Sequence, residues 1–300
     1  MSTTAPANFG GLPPQYSGAA DSRAVIVPVP YDGTSTWHKG ADQGPAAIIR
    51  ASANMELYDI ETDSQVYLDG IFTDESVTED HSPEAMVEAV RRRVQGHLAN
   101  RKLTVVVGGE HSVSIGAVRA HVDRYPGLSV LQLDAHSDLR DEYEGSRFNH
   151  ACVMARIREL CPIVQVGIRS MDISEKPVLV EERVFFAEKI HDNLAWIDRV
   201  VAQLTEQVYI TIDLDVFDPS IMPATGTPEP GGLMWYDVLA LVRAVCRRRT
   251  VVGFDVVEMC PVETNWAPEF LAAKLIYKIL SYRYKLRGEH GEARRFEGSG

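Results

Sequence analysis

Short apolar runs rich in β-branched residues recur along the chain and alternate with longer amphipathic stretches. The runs lie at 24–29, 66–71, 103–109, 128–134, 162–168, 183–187, 207–215 and 250–257. Continuously apolar runs are typical of strands buried on both faces of a parallel sheet. Intervening stretches such as PEAMVEAVRRRVQGHLA have the spacing of helices that cover such a sheet. The pattern predicts one α/β domain over residues 24–287, with a mostly parallel sheet of about eight strands.

The two ends of the chain differ from this domain in composition. Residues 1–23 are rich in Pro, Gly and Ser, so we expect an N-terminal arm that lies on the surface or on a neighbouring subunit. The tail over residues 288–300 is polar, and we expect it to be disordered. No internal repeat or linker divides the chain between them.

Composition bears on the size of the hydrophobic core and on the cellular location of the protein. With 300 residues, 45% of them hydrophobic, the chain can bury a large core. It has no apolar run of about 18 residues and no secretory signal, so neither a membrane span nor export is predicted. Its four cysteines show no CxxC spacing. We therefore expect reduced thiols and a cytoplasmic location.

The formal charge of −12 bears on possible partners. A general nucleic-acid binder carries a basic patch, so this charge argues against nucleic acid. An acidic protein attracts small cationic molecules. Solubility alone would also explain the charge.

Histidine and acidic residues follow four of the predicted strands. They are His111 in GGEHS, Asp134, His136 and Asp138 in DAHSD, Asp213 and Asp215 in TIDLD, and Glu258 in DVVE. Ligands of an open parallel sheet bind beyond the carboxyl ends of its strands. Side chains alternate along a strand, so residues two apart share a face if the extension persists. The pattern predicts that these groups converge on one point.

Such a cluster needs a partner, because ionised carboxylates out of water are costly unless they are paired or coordinated. A DxD pair alone is as often a turn cap, and a single histidine is more often a core residue. Three such motifs on successive strand ends favour a metal site. Six ligands exceed the needs of one tetrahedral ion but suit two divalent ions that share carboxylates. Oxygen-rich ligation without thiolate favours Mn2+, while nickel, iron and cobalt remain alternatives.

These motifs resemble those of the ureohydrolase family of arginases and agmatinases. GGEHS, DAHSDLR and TIDLDVFDPSIMPATGTPEPGGL match the three signatures of that family in order, and the similarity extends from residue 27 to 274. The resemblance implies an arginase-type three-layer α/β/α fold and a binuclear manganese site. It also implies hydrolysis of a guanidino group to urea, usually in trimers or hexamers.

The resemblance also implies a role for each site residue. One metal would be held by His111, Asp134, Asp138 and Asp213, and the other by Asp134, His136, Asp213 and Asp215. Asp134 and Asp213 would then bridge the two metals.

Three further residues match positions that handle the substrate. Glu258 matches the carboxylate that grips the guanidinium, Thr227 a threonine near it, and His150 a proton-shuttling histidine. This chemistry fits the residue types. Two metals make a shared water acidic enough to attack near neutral pH, Asp138 could orient that water, and a histidine titrates in the range needed to protonate the leaving amine.

VGIRS, GTPEPGG and the segment from Pro30 to Ser52 resemble the agmatinase branch, so agmatine, giving putrescine and urea, is the leading substrate. Guanidinobutyrate, guanidinopropionate, free guanidine and arginine are alternatives. So are a catalytically silent metal-binding member and, less well supported, a one-zinc deacetylase. The acidic run Asp141, Glu142, Glu144 could attract a distal ammonium, and Arg147 could instead meet a carboxylate.

Two departures from the family pattern change these expectations. Glu110 stands where the first signature usually has Asp, so we expect altered tuning of the metal ligand more than loss of metal. The segment EGSRFNHAC lacks the stretch with which arginases recognise the amino-acid head of arginine. Arginine is therefore disfavoured.

Overall fold

A computed structural model describes residues 8–191 and 193–286 of the chain. Its strands form one sheet in which every pairing is parallel. They are β1 (Ala24–Val29), β2 (Ile71–Thr73), β3 (Leu103–Gly108), β4 (Ser129–Leu133), β5 (Ile163–Ile168), β6 (Val184–Phe186), β7 (Gln207–Asp213) and β8 (Thr250–Val257). Their spatial order is β2-β1-β3-β8-β7-β4-β5-β6. The prediction of a parallel α/β sheet of eight strands is confirmed.

Helices precede, connect and follow these strands. They are α1 (Pro14–Ser17), α2 (Gly44–Ser52), α3 (Pro83–Ala99), α4 (Val113–Arg124), α5 (Val153–Arg158), α6 (Ala187–Ile190), α7 (Trp196–Gln203), α8 (Trp235–Arg248) and α9 (Ala267–Lys285). Local chemistry sets some of their ends. The Ser82 side chain accepts a hydrogen bond from the amide of Ala85, and Pro83 occupies the first turn of α3, where its missing N–H costs nothing.

The sheet lies between two helical layers. Alternate residues of its strands face opposite sides, so Val25 and Val27 pack in the core with α3, α4 and α5. Ala24 and Ile26 pack in the other core with α2, α7, α8 and α9. This is the three-layer α/β/α arrangement expected from the sequence.

Two segments differ from the sequence-based expectations. In the run 66–71, Val66–Asp69 forms a 3₁₀ helix and only Ile71 enters strand β2, because Gly70 adopts a positive φ of 79° and turns the chain between them. Residues 8–23 lie within the predicted arm, yet Phe9 and Leu12 are buried in the core beside Ile48. That part of the arm is therefore packed against the domain. The predicted disordered tail over 288–300 lies outside the described residues.

Within the part of the chain that the structure covers, no helix has the length and hydropathy needed to cross a bilayer.

Candidate functional site

The four central strands of the sheet, β3, β8, β7 and β4, are neighbours, and each leads into a residue of the predicted site. His111 follows β3, Glu258 follows β8, Asp213 ends β7 and Asp134 follows β4. Parallel strands place these carboxyl ends at one edge of the sheet. Topology therefore brings together residues that are far apart in sequence.

The first group of side chains surrounds the imidazole of His111. Its Nδ1 atom lies 3.0 Å from Asp138 Oδ2 and 3.2 Å from Asp134 Oδ2. Asp213 Oδ2 lies 3.4 Å from the same nitrogen. Oxygen and nitrogen atoms of His111, Asp134 and Asp213 are close enough together to hold one metal ion.

The second group surrounds His136. Its Nδ1 atom lies 2.8 Å from Asp215 Oδ2 and 3.7 Å from Asp134 Oδ1. Asp134, His136 and Asp215 also have donor atoms close enough to hold an ion. Asp134 belongs to both groups with different oxygens, which is the arrangement that a bridging carboxylate needs.

The local backbone differs from the extended strands predicted for these motifs. Strand β4 ends at Leu133, and Asp138 reaches the site through a left-handed φ of 52° rather than by continued extension. Asp215 lies in a 3₁₀ helix, Leu214–Val216, whose first turn is capped by the Asp213 carboxylate. The six predicted ligands still converge, but turns place Asp138 and Asp215 there. Non-glycine residues adopt a left-handed φ at a cost, and such residues cluster at functional sites.

The chemistry of the donor set fits divalent cations. The Nδ1 atom of His111 is buried and has no hydrogen-bond partner, although it points at three carboxylates. An unsatisfied buried nitrogen and buried acids are each costly alone. Ions shared by these atoms would satisfy both. The residues present therefore fit a binuclear site.

The burial and close spacing of these groups also shift their pKa values. Burial raises the pKa of Asp138 to about 7, and the charge of Asp134 adds to this effect. Burial and then the charges of Asp215 and Asp134 raise the pKa of Asp213 well above its usual value. Burial lowers the pKa of His111, but contacts with neighbouring carboxylates outweigh it and the pKa rises. The cluster thus retains protons that divalent cations would displace on binding.

A layer of hydrogen bonds orients these side chains. The Nε2 atom of His111 lies 2.9 Å from Thr211 Oγ1, and that hydroxyl donates to Asp255 Oδ1 at 2.6 Å. The side chain of Gln132 donates to Asp134 Oδ2 at 2.7 Å. Sequence reasoning missed these three supporting residues. Their signal was visible, since each is a polar residue inside an otherwise apolar strand.

A cavity of about 300 Å³ opens beside the metal-binding groups. Its lining includes the three predicted substrate-handling residues, Glu258, His150 and Thr227. Glu258 has a left-handed φ of 65°, and its Oε1 accepts a hydrogen bond of 2.7 Å from the amide of His111. His150 Nδ1 lies 3.8 Å from the same carboxylate oxygen. The cavity lining also includes His111, His136, Asp138 and Asp213 of the predicted ligands, while Asp134 and Asp215 contact these residues from behind the lining.

Burial and neighbouring charges alter the pKa values of these two groups in opposite directions. Burial, followed by the charge of Glu110, raises the pKa of Glu258 well above its usual value. Burial and then the positive imidazoles of His111 and His136 lower the pKa of His150 to about 4. In the metal-free protein His150 is therefore neutral at pH 7, and its pKa lies below the near-neutral range expected from the sequence, because burial and the two charged imidazoles disfavour its protonated form.

The outer wall of the cavity contains charged residues that sequence reasoning did not identify. They are Arg140, Asp172 and Glu175, with Tyr143 beside them. Arg140 lies 3.4 Å from Glu175 and 3.6 Å from Asp172, and its guanidinium carbon lies 4.4 Å from the centroid of the Tyr143 ring. These contacts join the end of the DAHSDLR motif to the start of a 3₁₀ helix, Ile173–Val178, which Asp172 and Glu175 cap.

The acidic run at 141–144 is placed differently from the sequence hypothesis. Arg147 lies 3.0 Å from Asp141 and 3.1 Å from Glu159. Asp141 is also paired with Arg156. The cavity lining includes Tyr143 of this run but not its acids, and it does not include Arg147. The suggested roles of Asp141 and Arg147 toward a substrate tail are therefore not supported.

Comparisons with known proteins agree with this geometry. The profile of the arginase family matches residues 22–281. An N(1)-aminopropylagmatine ureohydrolase from Synechocystis is 39% identical over 274 residues, which cover 88% of this chain and 90% of that protein. An agmatinase from Pyrococcus horikoshii is 34% identical over 273 residues, covering 87% of this chain and 92% of its own length. The crystal structure of an agmatine ureohydrolase from Thermoplasma volcanium has a TM-score of 0.83 at 32% identity, over 91% of this chain and 94% of that one.

Proposed function

This chain belongs to the arginase family, and we propose that it is a binuclear-metal ureohydrolase that converts agmatine, or a close derivative of it, to urea and an amine. The observation that carries the proposal is the pair of His/Asp groups that share Asp134 beside a cavity lined by Glu258 and His150. With agmatine the amine product would be putrescine. The similarity to an N(1)-aminopropylagmatine ureohydrolase supports its aminopropyl derivative as the second candidate.

His111, Asp134, Asp138 and Asp213 would hold one ion, and Asp134, His136, Asp213 and Asp215 the other. The oxygen-rich donor set supports Mn2+ as the ion, with Ni2+ as the alternative. Two such ions, when bound, make water acidic enough to attack a carbon centre near neutral pH. The protein's part is to hold the substrate against them.

Glu258 would hold the substrate by its guanidinium. A planar guanidinium pairs well with a carboxylate, and the amide of His111 fixes one oxygen of Glu258. Because burial raises the pKa of Glu258, the free site disfavours its charged form. A guanidinium cation in the cavity would reverse this effect. The site would therefore favour substrates that keep their positive charge.

His150 would move protons during the reaction. Its imidazole lines the cavity and its Nδ1 lies 3.8 Å from Glu258 Oε1, so it could accept a proton from the attacking water. The same imidazole could then deliver that proton to the leaving nitrogen. Asp138 lines the cavity and its Oδ2 lies 3.0 Å from His111 Nδ1, so it could orient the water through a hydrogen bond. Thr227 lines the cavity and offers a hydroxyl near the guanidinium.

The charges of the outer wall favour a substrate with a cationic tail. Of its charged residues two are acidic, Asp172 and Glu175, and the one basic residue, Arg140, already contacts both. An anionic tail would find no free cation among the residues that line the cavity. The distal ammonium of agmatine carries the matching charge.

Urea release by metal-loaded protein tests the proposal. The panel contains agmatine, N(1)-aminopropylagmatine, arginine, guanidinobutyrate, guanidinopropionate and free guanidine, each assayed with manganese and with nickel. We expect turnover of the first two and little of the anionic members. Turnover of guanidinobutyrate alone would keep the mechanism and replace the substrate. No urea from any member, with both metals bound, would favour a silent family member.

Two further expectations accompany this function. As in the family resemblance, we propose a homo-oligomer, a trimer or hexamer, which light scattering on the purified protein would measure. We also propose that the protein is cytoplasmic. Its ligand would be a small cationic guanidino substrate, and neither nucleic acid nor membrane would be a partner.

A further inference from the structure

Glu110 is fully buried beside the proposed metal ligand His111, and its carboxylate accepts three hydrogen bonds. Its Oε1 accepts from the Thr34 hydroxyl at 2.9 Å and from the Ser112 hydroxyl at 2.8 Å. Its Oε2 accepts from the amide of Ser112 at 2.7 Å. The carboxylate thus joins the turn after β3 to the loop after β1.

Thr34 in turn accepts hydrogen bonds from the segment that contains His150, which lines the cavity. Its hydroxyl accepts a hydrogen bond of 2.9 Å from the backbone amide of His150. Its carbonyl accepts from the side chain of Asn149 at 3.4 Å. Because the Thr34 hydroxyl donates its one proton to Glu110, its oxygen lone pairs can accept the hydrogen bond from the His150 amide. The three groups form a directed chain from Glu110 through Thr34 to His150.

The imidazole of His111 has a different support. Its Nε2 contacts the hydroxyl of Thr211, which Asp255 holds. The hydrogen bonds of the Glu110 carboxylate run instead to Thr34 and Ser112. The expectation that Glu110 tunes the metal ligand therefore does not follow from its contacts.

We propose that Glu110 is a positioning residue for His150, acting through the Thr34 hydroxyl. The inference rests on the proposed function, in which His150 moves the proton. The length of Glu110 matters here. Aspartate is shorter by one carbon–carbon bond, about 1.5 Å, so it could not reach Thr34 while keeping both contacts to Ser112.

Matched substitutions of Thr34 test the chain of contacts with little change in volume. Thr34→Val removes the hydroxyl and Thr34→Ser keeps it. In manganese-loaded protein we expect Thr34→Val and Glu110→Asp to lower kcat for agmatine by about tenfold or more, because misplacing a proton-transfer group lowers turnover. KM and the two bound metals per chain should stay unchanged. Thr34→Ser should restore kcat to within about twofold. Thr205 lies just before the amino end of β7, whereas the site lies at the carboxyl ends of the strands. Thr205→Val therefore controls for the loss of a threonine hydroxyl.

A second measurement asks whether the effect passes through His150. In a His150→Ala background, Thr34→Val and Glu110→Asp should change the remaining kcat by less than about twofold, because residues that act through one group are not additive. Additive losses would overturn the proposal. So would loss of metal in Glu110→Asp together with full kcat in Thr34→Val.

A readout independent of activity separates this inference from the proposed function. Diethyl pyrocarbonate modifies neutral histidine, and peptide mass spectrometry gives the rate at His150 alone. We expect that rate to rise by about threefold or more in Thr34→Val, as expected for a segment released from its contacts, and not in Thr34→Ser. If wild-type protein released no urea, the proposed function would fail and this rate would decide the inference. Equal rates in all three proteins would refute it.

Discussion

Among the described residues, Asp134 is the member shared by both candidate metal-binding groups, and it offers a separate oxygen to each. Its Oδ2 lies 3.2 Å from His111 and its Oδ1 lies 3.7 Å from His136. Asp134→Asn keeps the shape but replaces one oxygen with an amide group that cannot ligate a cation. We expect it to reduce bound metal from two ions per chain to one or none and to lower urea release by at least about 10³-fold. Elemental analysis of the purified variant checks the metal content, and retention of two ions with full activity would refute the bridging role.

Glu258 gives a different prediction, because the proposed function places it against the substrate rather than the metals. Glu258→Gln keeps an oxygen for the amide of His111 but loses the charge that faces the guanidinium. We expect the metal content to stay unchanged while kcat/KM for agmatine falls by about 10²-fold or more, which corresponds to roughly 3 kcal/mol. Steady-state kinetics measure this loss. Wild-type kcat/KM in the variant would show that another group binds the guanidinium.

At the scale of elements, the turn after β3, which leads to the proposed metal ligand His111, lies close to the loop after β1. A Cβ atom on Gly109 would lie 2.0 Å from the carbonyl oxygen of Tyr31, a backbone atom that cannot move freely. We expect Gly109→Ala to lower the free energy of unfolding by about 1–3 kcal/mol or more and to weaken metal binding. Denaturant unfolding and metal titration check both effects.

Gly96 in helix α3 provides the matched control for that substitution. It is exposed, and a Cβ atom there would meet nothing within 4 Å. Because glycine costs a helix about 0.5–1 kcal/mol relative to alanine, Gly96→Ala should stabilise the protein by that amount with metal binding unchanged. Equal effects at both glycines would contradict the argument from close approach.

The elements also show what the sequence can and cannot predict. Continuous apolar runs predict β1 and β8 with their observed bounds, because both strands are buried on both faces. Strand ends predict the ligand groups, since parallel strands bring their carboxyl ends to one edge. The outer wall was beyond prediction because Arg140 and Asp172 meet only through tertiary contact. The left-handed backbone at Asp138 was also missed, since such strain arises from the surrounding fold.

At the scale of the whole molecule, the two helical layers meet the sheet with little free space. His121 on α4 packs against β8, and a Cβ atom on Gly253 would lie 2.2 Å from its Nε2. Its Nδ1 lies 2.7 Å from the carbonyl oxygen of Ala117, and Nε2 lies 3.1 Å from Thr104 Oγ1. One ring nitrogen therefore donates to a carbonyl, and the other can accept from a hydroxyl. The backbone of Val252 also hydrogen-bonds the ring and, like Ala117, favours the charged form, but burial outweighs both and favours the neutral imidazole. Adding a proton would therefore destabilise the packing between helix and sheet.

His121 therefore couples the stability of the fold to pH. Burial lowers its pKa to about 4, whereas an unfolded histidine titrates near 6.5, so the unfolded state binds the proton first as pH falls. The stabilisation is fully present above pH 6.5 and is lost as pH falls toward 4, by an amount on the order of 3 kcal/mol. In His121→Gln, which does not titrate, the free energy of unfolding should fall less over that interval. Denaturant unfolding of both proteins in EDTA removes the contribution of metal release. Parallel pH curves for the two proteins would show that protonation of His121 does not limit stability in acid.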